Sequence, residues 1–261
     1  MTDIEVKGLV IRATDFKESD RIITIFTEEM GVVSATARGA RSLKSRKMSS
    51  TMQFCYSSFI LSKQKDYFYV KEASLIENFF DIRKSIEGLA LAGYIAEVLS
   101  DVTVAEAERD LLRLSLNSLF AISEGKAPLE KIKAAFEIRA ASILGFMPDV
   151  LSCSECGGKS GDFFFDIMGG SLLCYECNSR RVKMHVEPEN PHESRIVSLI
   201  SETAKAALWY CIHCPLEKLL SFSIPDADMH IFSRATEDYL LNQMERSYKT
   251  LEFYKEVAPR T

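Results

Sequence analysis

Two short cysteine pairs limit the chain more than any other feature. CSEC occupies 153–156 and CYEC 174–177, giving C-x2-C-x17-C-x2-C. Two intervening residues let both sulfurs of a pair reach one ion from a tight turn. The 17-residue excursion between them, GGKSGDFFFDIMGGSLL, is long enough for a hairpin that returns the second pair to the first. Gly157-Gly158 and Gly169-Gly170 supply the permissive backbone that such turns need. Cys153, Cys156, Cys174 and Cys177 would complete a tetrahedral four-sulfur shell, the preference of structural zinc. A closed shell leaves no position for water or substrate, so the expected Zn2+, about one per chain, is structural and not catalytic. His185 lies close to this module; it reads as a solvent-facing histidine, with a place behind the ligands as the alternative.

The other cysteines do not form a second site. Cys211-Ile212-His213-Cys214 has x2 spacing but lies in a helical pattern without a further pair, and reads as buried small residues. Cys55 reads as a core residue of a strand. Seven cysteines, an odd number, with four in CxxC pairs and no secretory leader pattern, favour a reducing cytosol over a disulfide framework. No run approaches the ~18 apolar residues of a membrane span. There is no GxxxxGK[ST], HExxH or GxSxG pattern, and the chain is expected not to be an enzyme.

The first 80 residues have strand character. GLVIRAT, DRIITIFTEE, GVVSATA, QFCYSSFIL and DYFYVKEASLIE are short, rich in β-branched and aromatic residues, and separated by polar turns. Ile23 and Ile25 share one face, with Ile22, Thr24 and Phe26 on the other; Tyr67 and Tyr69 oppose Phe68 and Val70. Five strands in this length fit a small closed barrel of the oligonucleotide-binding (OB) type. Beyond residue 81 the apolar spacing turns helical. One helix is expected through Ile82, Ile86, Leu89, Ile95, Val98 and Leu99. A second follows a Thr103/Glu106 capping box, with Leu112, Leu116, Leu119 and Phe120 on its stripe and Gly125 as its stop. A third runs from Pro128 through Ile132, Phe136 and Ile143 to Gly145. After Pro191 helical spacing is expected again through Ile196, Leu199, Ile200 and Leu208, and a last helix over about Asp226 to Met244. The fold class is therefore α+β: an OB barrel over 1–80, a helical domain over 81–149 and 185–261, and a four-cysteine zinc module over 150–184 inserted between its parts.

Charge is unevenly distributed. The chain carries a net −5, yet residues 1–80 hold 12 Lys/Arg against 10 Asp/Glu, and residues 81–261 hold 20 against 27. RGARSLKSRK, at 38–47, accounts for the excess, with five cations in ten residues and no acid. Screening confines electrostatic influence to roughly 8–10 Å, so distant acids do not cancel this patch. Arg38, Arg41, Lys44, Arg46 and Lys47 are candidate phosphate contacts, with Gly39, Ala40, Ser42, Ser45 and Ser49 allowing close approach. A solvated loop is the alternative, but a basic loop on an OB barrel bearing aromatic strands favours nucleic acid. Arg12 and Arg21 could add to the surface from barrel strands, with structural roles beside the core as an equal alternative. Arg180-Arg181 could extend it from beyond the last cysteine, although a plain solvated pair is the favoured reading there.

VIRATDFKESDRIITIFTEEMGVVSATARGARSLKSR, FEIRAASILGFMPD and the CSECG that follows together resemble the RecO family of bacterial DNA repair and recombination mediators, over nearly the full length. The resemblance implies an N-terminal OB barrel that contacts DNA and a helical domain carrying the zinc module, as in the members that keep the metal. It implies binding of single- and double-stranded DNA and annealing of complementary strands. It further implies work with RecR, recognition of the C-terminal tail of single-strand-binding protein, and help to RecA in replacing that protein on DNA. The implied location is the bacterial cytoplasm, at the nucleoid. An RNA-binding OB protein, a protein-only adaptor and a metal-centred hydrolase are the other readings; the all-cysteine shell opposes the last.

Overall fold

The computed structural model describes residues 3–102, 108–184 and 197–258. They form two compact units, Met1–Leu129 with Tyr248–Thr261, and Glu130–Ser247.

The first unit is built on a closed barrel. Its strands are β1 (Asp3–Phe16), β2 (Asp20–Thr27), β3 (Gly31–Ala37), β4 (Cys55–Gln64) and β5 (Tyr67–Asn78). They follow the order β1-β2-β3-β5-β4, with β4 returning to β1, and β3 and β5 run parallel. This is the expected OB architecture. Closure falls on β1, whose first half pairs with β4 from Asp3 to Leu9 and whose second half pairs with β2 from Gly8 to Phe16. The strand shifts register between Val10 and Arg12, a bulge that bends it from one neighbour to the other. Gly8 sits where the two pairings overlap. A Cβ there would stand 2.4 Å from Ile25 Cγ2 and 2.7 Å from the Phe26 carbonyl, so only glycine fits.

Alternation fills the barrel. Val6, Val10, Ile23, Ile25, Val33, Ala35, Phe59, Leu61 and Val70 form its core, with Phe68 packed against it. Ile23 and Ile25 thus share the inner face, and Tyr67 and Tyr69 lie on the outer one, as the pattern indicated. The opposite face of β1 and β2 is also covered. Leu9, Ile11 and Phe26 are buried outside the barrel core, where α1 (Ile86–Ser100) packs on β1 and α2 (Glu108–Ser123) on β2. The last helix is not Asp226–Met244, as expected from sequence, but a further one, α7 (Lys249–Val257), which lies along α1: Tyr94 and Tyr248 meet edge to face at 5.6 Å, and Glu97 accepts hydrogen bonds from the Thr250 amide and hydroxyl.

The helix expected from Ile82 to Leu99 is interrupted. Residues Phe80–Lys84 form a 3-10 turn, and Ser85 is extended (φ −129°, ψ 144°) with its hydroxyl accepting from the Gly88 amide at 2.8 Å. That cap fixes the start of α1 at Ile86. It also rotates Ile86 and Leu89 outward, so both are exposed and do not belong to the apolar stripe. Phe120 is likewise exposed on α2, beneath the Lys126 ammonium. The Thr103/Glu106 capping box lies outside the described residues.

The second unit joins α3 (Leu129–Ile143), α4 (Tyr175–Met184), α5 (Glu202–His213) and α6 (Asp226–Met244) to a four-stranded sheet. Its strands are β6 (Asp149–Cys153), β7 (Phe163–Asp166), β8 (Ser171–Cys174) and β9 (Val197–Ile200), in the order β6-β8-β7-β9. The helical spacing expected at Leu199 and Ile200 is overturned: Val197–Ile200 is an edge strand on β7, and Ile196 lies outside the described residues. The run VSLI is too short to distinguish the two periods, and pairing with the Phe163–Asp166 strand decides it. Ser201 then caps α5 by accepting from the Ala204 amide.

α3 and α6 are linked by a buried ion cluster. Lys133 Nζ lies 3.0 Å from Glu137 Oε1 and 2.8 Å from Glu237 Oε2, and the Thr236 hydroxyl donates to Glu137 at 2.9 Å. Burial raises the Glu137 carboxyl to about 7, against the opposing pull of Lys133. Removing one member of such a cluster leaves an uncompensated buried charge. Lys133→Met should therefore lower unfolding free energy by about 3–5 kcal/mol, measured by urea denaturation; an unchanged midpoint would show that the two glutamates need no cation.

Candidate metal centre and nucleic-acid interface

The four cysteines converge as their spacing required. The Sγ atoms of Cys153, Cys156, Cys174 and Cys177 all lie within 4.8 Å of one another. Each pair reaches the cluster by a different local structure. Cys153 ends β6, and a knuckle follows in which the Gly157 amide donates to the Cys153 carbonyl at 2.9 Å and the Cys153 amide donates to the Gly158 carbonyl at 2.8 Å. Gly157 has φ +74°, the conformation that tightens this turn. Cys174 ends β8, and α4 begins at the next residue, so the Cys177 amide in its first turn points at Cys174 Sγ at 3.5 Å. The hairpin β7–β8 is the excursion between the pairs, as expected.

The donor set fits a tetrahedral metal. For a metal–sulfur distance of about 2.3 Å, a tetrahedron has sulfur–sulfur edges of about 3.8 Å; Cys156 and Cys174 stand 3.7 Å apart. Burial resists ionisation of Cys153, but the amides of Cys156, Cys174 and Glu155 outweigh it and bring the thiol down to about 6. Cys177 moves the other way, raised first by its hydrogen bond with Cys174 and then by burial. One thiolate is stabilised where it stands, and full ionisation of the group needs a cation at its centre.

The module is anchored on several sides. Asp166 Oδ1 accepts from the Met168 and Gly169 amides and closes the β7–β8 turn. Gln243 on α6 donates to the Ile167 and Met168 carbonyls, and the Tyr239 ring lies 5.1 Å from Phe165. Arg181 on α4 pairs with Glu155 inside the first knuckle, whereas Arg180 is exposed. His185 lies outside the described residues. Cys211 is fully buried, with its thiol pushed up by that burial, and joins no metal-binding group among the described residues.

The basic stretch lies in the β3–β4 connection, which folds as a chain of turns. Ser42 donates to the Gly39 carbonyl, Ser45 to Ser42, Met48 to Ser45 and Thr51 to Lys47 through their amides. The Ser50 and Thr51 hydroxyls add bonds to the Lys47 carbonyl, the local competition that keeps serine-rich chain out of a regular helix. Its five cations divide by what they touch. Arg41 donates to the Lys17 and Glu18 carbonyls at 3.1 and 3.2 Å and pairs with Asp15 at 3.2 Å. Lys47 donates to the Val70 carbonyl of β5 at 3.3 Å. Both hold the connection onto the barrel. Arg38 is exposed, its guanidinium 4.3 Å from the centre of the Tyr69 ring. Lys44 and Arg46 are exposed and carry no ion pair or hydrogen bond to a side chain among the described residues.

The two strand arginines divide in the same way. Arg12 is exposed. Arg21 is drawn inward, donating to the Met48 and Thr51 carbonyls and pairing with the other oxygen of Asp15 at 3.4 Å. Asp15 thus bridges Arg21 and Arg41. Sequence alone did not single out Tyr69 or Asp15; the outward parity of Tyr69 was visible, but its partner Arg38 lies more than thirty positions away.

Residues 1–79 match the family described as Recombination protein O N terminal, and residues 83–252 match Recombination protein O C terminal. The chain belongs to the RecO family. It is 34% identical over 258 residues to the DNA repair protein RecO of Acetivibrio thermocellus, covering 98% of this chain and 97% of that one. The corresponding protein of Caldicellulosiruptor saccharolyticus is 27% identical, covering 98% of this chain and 99% of its own length. DNA repair and recombination are thus the setting of this barrel and this cysteine cluster. No helix among the described residues is long and apolar enough to cross a membrane.

The division of cations is measurable as stability. Arg41→Ala should cost about 1 kcal/mol, since it removes charged hydrogen bonds at a half-exposed site. Lys44→Ala and Arg46→Ala should stay within about 0.5 kcal/mol of the parent. Thermal melts of the three variants check this, and equal losses would erase the distinction.

Proposed function

We propose that this protein binds single- and double-stranded DNA and anneals complementary strands, helping RecA to load onto DNA coated with single-strand-binding protein. One observation carries the reading: an acid-free cationic segment, tied to a closed OB barrel by Arg41 and Lys47, turns Lys44 and Arg46 to solvent and begins at Arg38, whose guanidinium lies over the Tyr69 ring. The exposed cations take phosphates, with Arg12 extending the surface along β1 and Arg180 a further contact in the other unit. Arg21, Arg41, Lys47 and Arg181 serve by positioning. Annealing opposes two polyanions; a cationic surface lowers that repulsion and raises the local concentration of complementary bases. No nucleotide hydrolysis is needed, and the protein acts as a mediator and not an enzyme. RecR and the C-terminal tail of single-strand-binding protein are its protein partners, and the bacterial cytoplasm, at the nucleoid, its place of work. The family membership and the name shared by its relatives support this reading.

The triple variant Arg38→Ala/Lys44→Ala/Arg46→Ala tests it. Fluorescence anisotropy with labelled oligonucleotides should show weaker binding across sequences, and a salt dependence shallower by about two in log–log slope on single strands. Annealing of complementary strands coated with single-strand-binding protein should slow in parallel. Unchanged binding and annealing by the folded variant would move DNA elsewhere on the molecule.

The metal we propose is zinc, held by Cys153, Cys156, Cys174 and Cys177 with no open position. It fixes the β7–β8 hairpin and the start of α4. Protein purified without chelator should contain about one zinc ion per chain, and Cys156→Ser should release it and expose 153–177 to protease. A protein free of metal yet equally resistant would show that the packing of the hairpin suffices.

A further inference from the structure

Between the two ties of the basic connection, Arg41 and Lys47, lies Ser42–Arg46, and within it Leu43. Leu43 is 91% exposed, the highest value among the large hydrophobic side chains described. Single exposed leucines are common and by themselves mean nothing. Three features distinguish this one.

The first is its position. The Ser45 amide donates to the Ser42 carbonyl at 2.8 Å, so Leu43 and Lys44 occupy the two corners of a tight turn. Such corners favour glycine, proline, asparagine, aspartate and serine, each for a conformational or hydrogen-bonding reason that leucine lacks. The second is support. The preceding residue, Ser42, donates through its amide to the Gly39 carbonyl, and Gly39 donates to Asp20 at 2.8 Å. With Arg41 and Lys47 fixed to the barrel, the corner is held outward. The third is company. The chain from Met30 to Lys65 contains no aspartate or glutamate, and Leu43 is flanked by Lys44, Arg46 and, on the other side, Arg41. An apolar tip among cations is complementary to a polymer with apolar base faces between anionic backbones.

We infer that Leu43 is an apolar wedge that inserts against the bases of bound DNA and loosens their stacking, while Lys44 and Arg46 hold neighbouring phosphates. The inference rests on the DNA-binding reading above. Apolar side chains used in this way unstack a base step at a cost offset by the contacts that the opened strand permits. In an annealing protein the result is useful, because bases freed from stacking on their own strand are available for pairing. The wedge is specific for nucleic acid by its setting and indifferent to sequence, since every base has an apolar face.

Oligonucleotides carrying 2-aminopurine, whose emission rises when it unstacks, test the wedge in the full-length protein. Wild type at saturation should raise the emission. Leu43→Ser should bind within about tenfold of wild type, show no rise at saturation, and anneal more slowly; Leu43→Phe should restore both. Lys44→Ala/Arg46→Ala should do the converse, weakening binding in a salt-dependent way while keeping the rise once saturated. A full rise with saturating, folded Leu43→Ser would overturn the wedge and leave DNA binding standing. Failure of wild type to bind the oligonucleotides would overturn both.

Discussion

β1 must hydrogen-bond two neighbours along one strand, and the first unit depends on how it does so. A flat strand cannot serve β4 with one half and β2 with the other. The bulge between Val10 and Arg12 turns it, and Gly8 lets β2 come close where the two pairings overlap. Closure has two consequences. It gives every strand of the barrel two neighbours, the shortest of these pairings being β3 with β5 at Ala35–Phe68 and Thr36–Tyr69. It also directs the connections between strands to the ends of the barrel. The β3–β4 connection, pinned across the barrel end, is the one that carries concentrated charge.

Within that connection the same residue types do opposite jobs. Arg41 and Lys47 are indistinguishable in sequence from Arg46 and Lys44, yet the first two satisfy backbone carbonyls of the barrel and the second two face water. A guanidinium has five donors in a fixed fork, so Arg41 can engage Lys17, Glu18 and Asp15 together. Cations already bound to protein oxygens gain little by meeting phosphate, because they would lose those bonds. Cations left in water gain most, because releasing condensed counterions from DNA drives the contact. On the proposed reading the ties act indirectly, by removing the loop entropy that ordering on DNA would otherwise cost.

How legible this was in the sequence follows the range of the interactions concerned. The barrel was visible because strand periodicity and turn residues are local, and α6 was visible because its spacing runs unbroken over Asp226–Met244. The cysteine cluster was visible because ligand spacing states its own closure. The break before α1 was missed because one hydroxyl, that of Ser85, overrode a helical pattern continuing on both sides. Helical spacing fails at β9 because four residues cannot fix a period, and its partner β7 lies some thirty positions upstream. The Arg38–Tyr69 stack, the Asp15 bridge and the inward turn of Arg21 all join residues from different strands or connections, and register decides them. Composition located the charge; only packing sorted it.

The cysteine cluster shows the same logic in the second unit. Four thiols cannot all ionise side by side without a cation, and the amides at the Cys153 knuckle already favour one thiolate. A bound dication would therefore convert four mutually repelling groups into a crosslink between the end of β6, the end of β8 and the first turn of α4. The hairpin between the pairs does not rely on that crosslink alone, since Gln243 and Tyr239 of α6 grip its far end. The metal would order the knuckles, and α6 orders the turn. Loss of the cysteines in a relative is thus compatible with a retained hairpin wherever the α6 grip is kept, because the two restraints act on opposite ends of the same two strands.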